Sequence, residues 1–122
     1  MYKVLVFAGT TEGYEICRFL ANHRVQTKGF VATEYGSKSL TESEFLIVQT
    51  GRLDAAAMEE TFLQEKPEMV LDATHPYAAE VTVNIRTACE NTQTAYYRVL
   101  REAGEHEDRA VYVDSVQAAT DY

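Results

Sequence analysis

Hydrophobic positions along the chain change period at regular intervals. Tyr2 to Ala8, YKVLVFA, is a short apolar run that stops at Gly9, the composition of a strand buried on both faces of a parallel sheet. From Glu12 to His23 the period becomes helical. Ile16, Phe19 and Leu20 recur at i, i+3 and i+4 while Glu15, Arg18 and Asn22 fall off that stripe, which predicts a helix with one buried face. Val25 to Ala32 reads as a second strand interrupted by Gly29, and EYGSKSLTES after it is a polar connection with room for one short helical turn. FLIVQT follows as a third strand.

Asp54 is a good N-cap for a helix running to about Glu65, with Met58, Phe62 and Leu63 as its apolar face and Lys66-Pro67 as its stop. EMVLDAT gives a fourth strand. Ala78, Val81, Ile85, Ala88 and Cys89 then share one face of a helix predicted from about Tyr77 to Asn91. TAYYRVL and RAVYVDS read as two further strands, and Ser115 as the cap of a helix whose stripe begins with Val116 and Ala119.

Strands alternating with helices at this spacing predict an α/β fold: a Rossmann-like, doubly wound, mostly parallel sheet with helices on both faces and right-handed crossovers. At 122 residues and 46% hydrophobic, the chain is the size of one domain. Its net charge of -8 disfavours non-specific attraction to nucleic acid or an anionic membrane, so any anion site must be local. Cys17 and Cys89 fall in predicted helices without a second Cys or a His at zinc-ligand spacing, which points to buried thiols and to no metal site. With no signal peptide or apolar span in the sequence, the expected location is cytoplasmic.

Loops leaving the carboxyl ends of parallel strands form the ligand crevice, and the first of them is AGTTEG. Gly9 suits a sharp turn and Gly13 a close approach of helix or ligand to the backbone. The helix start offers amides and a positive dipole end to a phosphate, with the Thr10 and Thr11 hydroxyls as further donors. The pair is spaced G-x-x-x-G, which departs from the dinucleotide pattern G-x-G-x-x-G, and a turn using Gly for geometry alone reads equally well. Glu12 helps the helix dipole but repels a pyrophosphate unless it points away.

No Gly-Lys pair is present for a Walker loop, and none of the eight tyrosines has a lysine four residues on, which disfavours nucleoside triphosphate hydrolysis and the short-chain dehydrogenases. TGRLD and LDATHPYA stand at the expected ends of the third and fourth strands, so three polar clusters face one crevice. Arg52 offers a planar fork of donors for phosphate or carboxylate, or an ion pair with Asp54 or Glu12. His75 is able to donate to a ligand, shuttle a proton or orient the loop before Pro76. Asp72, within its strand, reads as a loop organiser accepting backbone amides.

AGTTEGYE, VATEYG, GRLD, DATHPYA and YYRVLRE, in this order from residue 3 to about residue 102, closely resemble the N-terminal half of the precorrin-6A (cobalt-precorrin-6A) reductases of cobalamin biosynthesis. Two positions depart: the family usually has Gly where Ala8 stands and Arg where Tyr14 stands. The resemblance implies an NAD(P)H-dependent enzyme that delivers a hydride to a ring double bond of a corrin precursor. Residues 1–122 would form its N-terminal, cofactor-side Rossmann-like domain, with the C-terminal half absent. It places NADPH or NADH at Gly9, Thr10, Thr11, Glu12 and Gly13, with Thr33, Gly51, Arg52, Leu53, Thr74 and His75 lining the same crevice.

Glu34 would favour NADH by accepting from the ribose 2′-hydroxyl, whereas Ser37 and Lys38 would meet the 2′-phosphate of NADPH. For the acidic macrocycle the candidate contacts are Tyr77, Arg98 and Arg101, with Arg52 as a further counter-charge and Tyr96 and Tyr97 either against its edge or in the core. His75 is the catalytic candidate, as proton donor. Two other functions fit the same crevice: a non-catalytic dinucleotide-binding module, and another Rossmann oxidoreductase or epimerase. A domain missing half of an interdomain cleft would also expose apolar surface and self-associate through it.

Overall fold

All five positions of Val4–Ala8 (β1) are buried, as the centre of a sheet covered on both faces requires. In the computed structural model, which describes residues 2–101 and 111–114, this strand is followed by α1 (Thr11–Asn22), β2 (Thr27–Val31), α2 (Glu34–Lys38), β3 (Leu46–Thr50), α3 (Ala55–Glu65), β4 (Met69–Ala73), α4 (Ala79–Thr92), β5 (Tyr96–Arg101) and β6 (Val111–Asp114). The strand order is β3-β2-β1-β4-β5-β6. The first five strands in that order are parallel, and β6 runs antiparallel to β5. Strand order reverses between β1 and β4, the switch point at which doubly wound sheets bind ligands.

Alternation along β1 divides the core. Leu5 and Phe7 join Phe30, Met58, Phe62, Val70, Ile85, Ala88, Cys89 and Tyr96 beneath α3 and α4, whereas Val4, Val6 and Ala8 join Cys17, Val31, Leu40 and Leu46 beneath α1 and α2. Phe7 stacks on Phe30 at 4.6 Å and meets Phe62 edge-on at 6.2 Å, arrangements favoured by the ring quadrupole. Lys28 and Glu65 pair at 3.9 Å on the same side of the sheet, with the ammonium over the Tyr2 and Phe30 rings.

Two helices are rotated from the expected stripes. Phe19 is 59% exposed and packs on the His23 ring at 4.2 Å, while Gly13 and Cys17 face the sheet. The reason is steric: the small Gly13 lets α1 press against Ala8 and Ala73, and that contact fixes the rotation of the helix about its axis. Likewise Leu63 is 58% exposed, because Met58 and Phe62 define the inward direction of α3. Helix α4 begins at Ala79, two residues beyond the expected Tyr77, since the Tyr77 and Ala78 amides are taken by His75 Nδ1 and the His75 carbonyl. The helix expected from Ser115 lies outside the described residues.

Cys17 and Cys89 are buried and free, and burial pushes each thiol from its ordinary 9.0 up to about 12, with the Asp72 charge adding to the effect at Cys89. The folded protein therefore holds these protons more tightly than the unfolded chain. The stability they contribute is complete below the ordinary thiol value and falls as pH rises toward 12, by about 1.4 kcal/mol per pH unit for each group. Urea midpoints measured at pH 8, 10 and 11 should fall progressively, and Cys17→Ala should flatten the slope; equal slopes for the two proteins would contradict this burial.

Candidate functional site

The carboxyl ends of β1, β2, β3 and β4 open on one side of the sheet, and four short polar loops meet there. At β1, Thr10 caps α1: its Oγ1 accepts the Gly13 amide at 3.2 Å and donates to the Ala73 carbonyl at 2.7 Å. One hydroxyl thus closes the helix start and ties the β1 loop to the end of β4. The Tyr14 amide goes to the Thr10 carbonyl, and the positive end of the helix dipole faces the crevice. Thr11 is exposed in the first turn, and Glu12 beside it is 9% exposed.

The two glycines of this loop differ in what requires them. A Cβ on Gly13 would lie 2.9 Å from both Ala8 Cα and Ala8 Cβ and 3.1 Å from Ala73 Cβ, so its hydrogen is needed for helix-to-sheet packing. A Cβ on Gly9 would meet only Thr74 Cα, at an ordinary 3.8 Å, and Gly9 is not in the positive-φ region. Protein packing gives no reason for glycine at position 9. Its exposed backbone stands beside Thr74 at the end of β4, where an added methyl would project from the loop.

At the end of β2, Thr33 caps the short α2 by accepting the Gly36 amide at 3.2 Å, leaving Glu34, Tyr35 and Lys38 exposed. At the end of β3, Gly51 has φ 122°, a backbone state that side chains disfavour, and its amide bonds to the Val31 carbonyl at 2.9 Å. That turn delivers Arg52 to the mouth, where it is exposed and takes part in none of the ion pairs among the described residues. Asp54 caps α3 through the Ala57 amide at 2.8 Å, and Leu53 packs under the crevice floor against the core beneath α3 and α4.

The β4 loop carries the densest polar network. Asp72 is fully buried, and its carboxylate receives five hydrogen bonds: the Thr74 amide (3.1 Å), Thr74 hydroxyl (2.7 Å) and Arg98 Nη1 (3.0 Å) at Oδ1, and the Thr82 and Tyr96 hydroxyls (both 2.8 Å) at Oδ2. Burial, and then the Asp72 charge, push the Tyr96 phenol far up, so it stays protonated and donates. His75 and Tyr77 project beyond this network. The Tyr77 amide donates to His75 Nδ1 at 3.1 Å, which puts the ring proton on Nε2, and Tyr77 is 89% exposed with its ring 5.1 Å from the imidazole.

The structure therefore places Gly9, Thr10, Thr11, Thr33, Gly51, Arg52, Thr74 and His75 at the carboxyl-end edge of the sheet, with Leu53 half-buried against the core and Glu12 and Gly13 buried in the first turn of α1. Arg98 turns inward toward Asp72, with a side chain 11% exposed. Tyr96 is a core residue, and the Arg101 side chain lies outside the described residues. Thr82 and Tyr96 as carboxylate partners escape a linear reading; the one signal was an aspartate inside the apolar run MVLDA. No group of three or more metal-ligating side chains, and no helix long and apolar enough to cross a membrane, occurs among the described residues.

Residues 3–121 match the family model described as Precorrin-6x reductase CbiJ/CobK. The cobalt-precorrin-6A reductase of Methanothermobacter thermautotrophicus is 34% identical over 100 residues, 81% of this chain and 33% of that protein. That of Salmonella typhimurium is 35% identical over 98 residues, 80% of this chain and 37% of that one. A solved CobK precorrin-6A reductase aligns with a TM-score of 0.68 at 27% identity, over 88% of this chain and 42% of its own. The Bordetella bronchiseptica enzyme WbmH, solved in complex with NAD+, shares the fold at a TM-score of 0.61 and 16% identity, over 79% of this chain and 37% of its own. The chain spans from a third to nearly half of the length of the curated relatives it matches.

Proposed function

Because the chain belongs to the precorrin-6x reductase family, we propose that its crevice holds a nicotinamide dinucleotide, NADPH or NADH, with which the whole protein reduces a precorrin-6A-type macrocycle in cobalamin biosynthesis. The observation that carries this reading is Gly9. Its missing side chain serves no packing need, yet it lies at the switch point of the sheet beside the start of α1. A pyrophosphate seated there gains from the helix dipole and from the Thr11 hydroxyl without displacing a side chain. Arg52, exposed and outside the ion pairs among the described residues, adds a bidentate donor at the β3 end.

The dinucleotide, when bound, supplies the hydride. The chain's own part is to bind, orient and exclude. Thr10 and Thr74 hold the loops on either side of the crevice, and Leu53 gives its floor an apolar side. His75 offers its Nε2–H as a hydrogen-bond donor in the crevice and is the candidate to relay a proton to the reduced system from a neighbouring water, and the Tyr77 ring offers a flat apolar surface to the macrocycle edge. At the β2 end, Glu34 stands in the first turn of α2 and Lys38 in its last, so the two compete to set the preference between ribose hydroxyl and phosphate.

Calorimetric titration of the chain with NADPH and NADH in parallel tests this. Binding of either should weaken at least about tenfold in Gly9→Ala, whose methyl would stand where the phosphates approach the loop, while the thermal transition stays within a few degrees of the parent. Equal affinity in Gly9→Ala, or no binding to the intact folded chain, would remove the crevice as the dinucleotide site. The preferred cofactor identifies whether Glu34 or Lys38 reads the ribose.

A further inference from the structure

Thr74 has each of its three polar groups bound by two side chains behind it. Its amide and hydroxyl donate to Asp72 Oδ1 at 3.1 and 2.7 Å, its carbonyl accepts from Arg98 Nη1 at 3.0 Å, and the same Nη1 lies 3.3 Å from its hydroxyl oxygen. Arg98 is itself fixed by the Asp72 carboxylate at 3.0 Å and the Asp72 carbonyl at 3.1 Å. Rotation of Thr74 about either backbone dihedral breaks at least one of these bonds. By contrast His75, Pro76 and Tyr77, which follow directly, are all exposed and have no core packing to hold them.

We propose that Asp72 and Arg98 are positioning residues of the crevice: by immobilising Thr74 they fix the direction in which His75 leaves β4, and so the imidazole edge presented to a bound dinucleotide. This rests on the crevice being the dinucleotide site, and it places Arg98 behind the loop instead of on the substrate. A buried ion pair is a weak source of stability, since a well-packed apolar pair of similar volume often serves the fold as well. What the apolar pair cannot supply is directed bonds to the Thr74 amide, hydroxyl and carbonyl. Those bonds end one residue short of the His75 ring, whose Nδ1 already accepts the Tyr77 amide in a turn closed by Ala78 N–H to the His75 carbonyl at 2.9 Å.

The test uses the full chain with 15N-labelled histidine, and variants Thr74→Val, Arg98→Met and Arg98→Lys. Long-range proton–nitrogen spectra report the His75 tautomer, assigned by its loss in His75→Gln, and NADH and NADPH titrations report affinity. The parent should show His75 protonated on Nε2 alone. Thr74→Val and Arg98→Met should give a mixture of tautomers and weaken the preferred dinucleotide roughly tenfold, with partial recovery in Arg98→Lys. Folded variants that keep the parent tautomer and affinity would overturn the proposal, and if Arg98→Met does not fold, Thr74→Val decides. Failure of the parent to bind either dinucleotide would sink the crevice reading alone, because the tautomer comparison still judges the clamp.

Discussion

Replacing Asp72 with alanine should lower the stability of the domain by about 3–5 kcal/mol, a large share of the roughly 5–15 kcal/mol available to a protein of this size. The carboxylate is wholly buried and serves five donors, from Thr74 in the loop after β4, from α4 and from β5. Its removal leaves the Arg98 charge without its counter-ion and strips the Tyr96 phenol of its hydrogen-bond acceptor, each a buried group whose desolvation is no longer offset. Asp72→Asn should cost less but still several kcal/mol, because the amide nitrogen turns a donor toward donors.

Thr82→Val removes a single bond and should cost about 1 kcal/mol. The double variant Asp72→Ala, Arg98→Met should be less damaged than the sum of its parts, since it no longer buries an unpaired charge. Urea unfolding followed by two probes measures these variants together with Arg98→Met alone. A loss below 1 kcal/mol for Asp72→Ala would mean that Arg98 escapes to solvent at little cost, and that the network is not the keystone of the β4 end.

Gly13→Val should be nearly as damaging, and for a reason independent of any ligand. Even the first carbon of the side chain would stand 2.9 Å from Ala8 Cα, and the obstacle is backbone of the central strand, which cannot turn aside as a flexible side chain could. Helix α1 must lift from the sheet, loosening Cys17 and its neighbours; overpacking of this kind costs about 1–3 kcal/mol for Gly13→Ala, with valine beyond that range. Gly9→Ala, four residues earlier, should change stability by no more than about 0.5 kcal/mol. A Gly13→Ala protein as stable as its parent would show that α1 is not seated as described. The contrast separates two functions within one loop: Gly13 serves the packing of the fold, and Gly9 serves the crevice.

Much of this organisation is legible residue by residue. The switch from apolar runs to helical periods locates every strand and long helix between Val4 and Leu100 to within a few residues, because burial on both faces of a parallel sheet leaves no room for polar alternation. Asp54 announces a helix start because a side-chain oxygen that satisfies a first-turn amide is a local matter, whereas the Thr10 and Thr33 caps emerge only in the structure. The motifs AGTTEG, TGRLD and DATHPYA likewise stand where β1, β3 and β4 end.

What the chain by itself determined, then, is the alternation of elements, their caps and the set of polar loops at one edge of the sheet, all consequences of interactions within a few residues. Only the tertiary structure decided that Arg98 faces inward, that Tyr96 is a core donor, and that Phe19 and Leu63 lie on the surface. Periodicity gives the width of a helix face but not its rotation, which for α1 is set by Gly13 against Ala8 and Ala73, contacts that span up to 60 residues of chain. Nor can spacing tell a solvated arginine from one 26 residues distant in sequence and 3.0 Å from a buried carboxylate, because that choice balances desolvation against partners that only the sheet brings together.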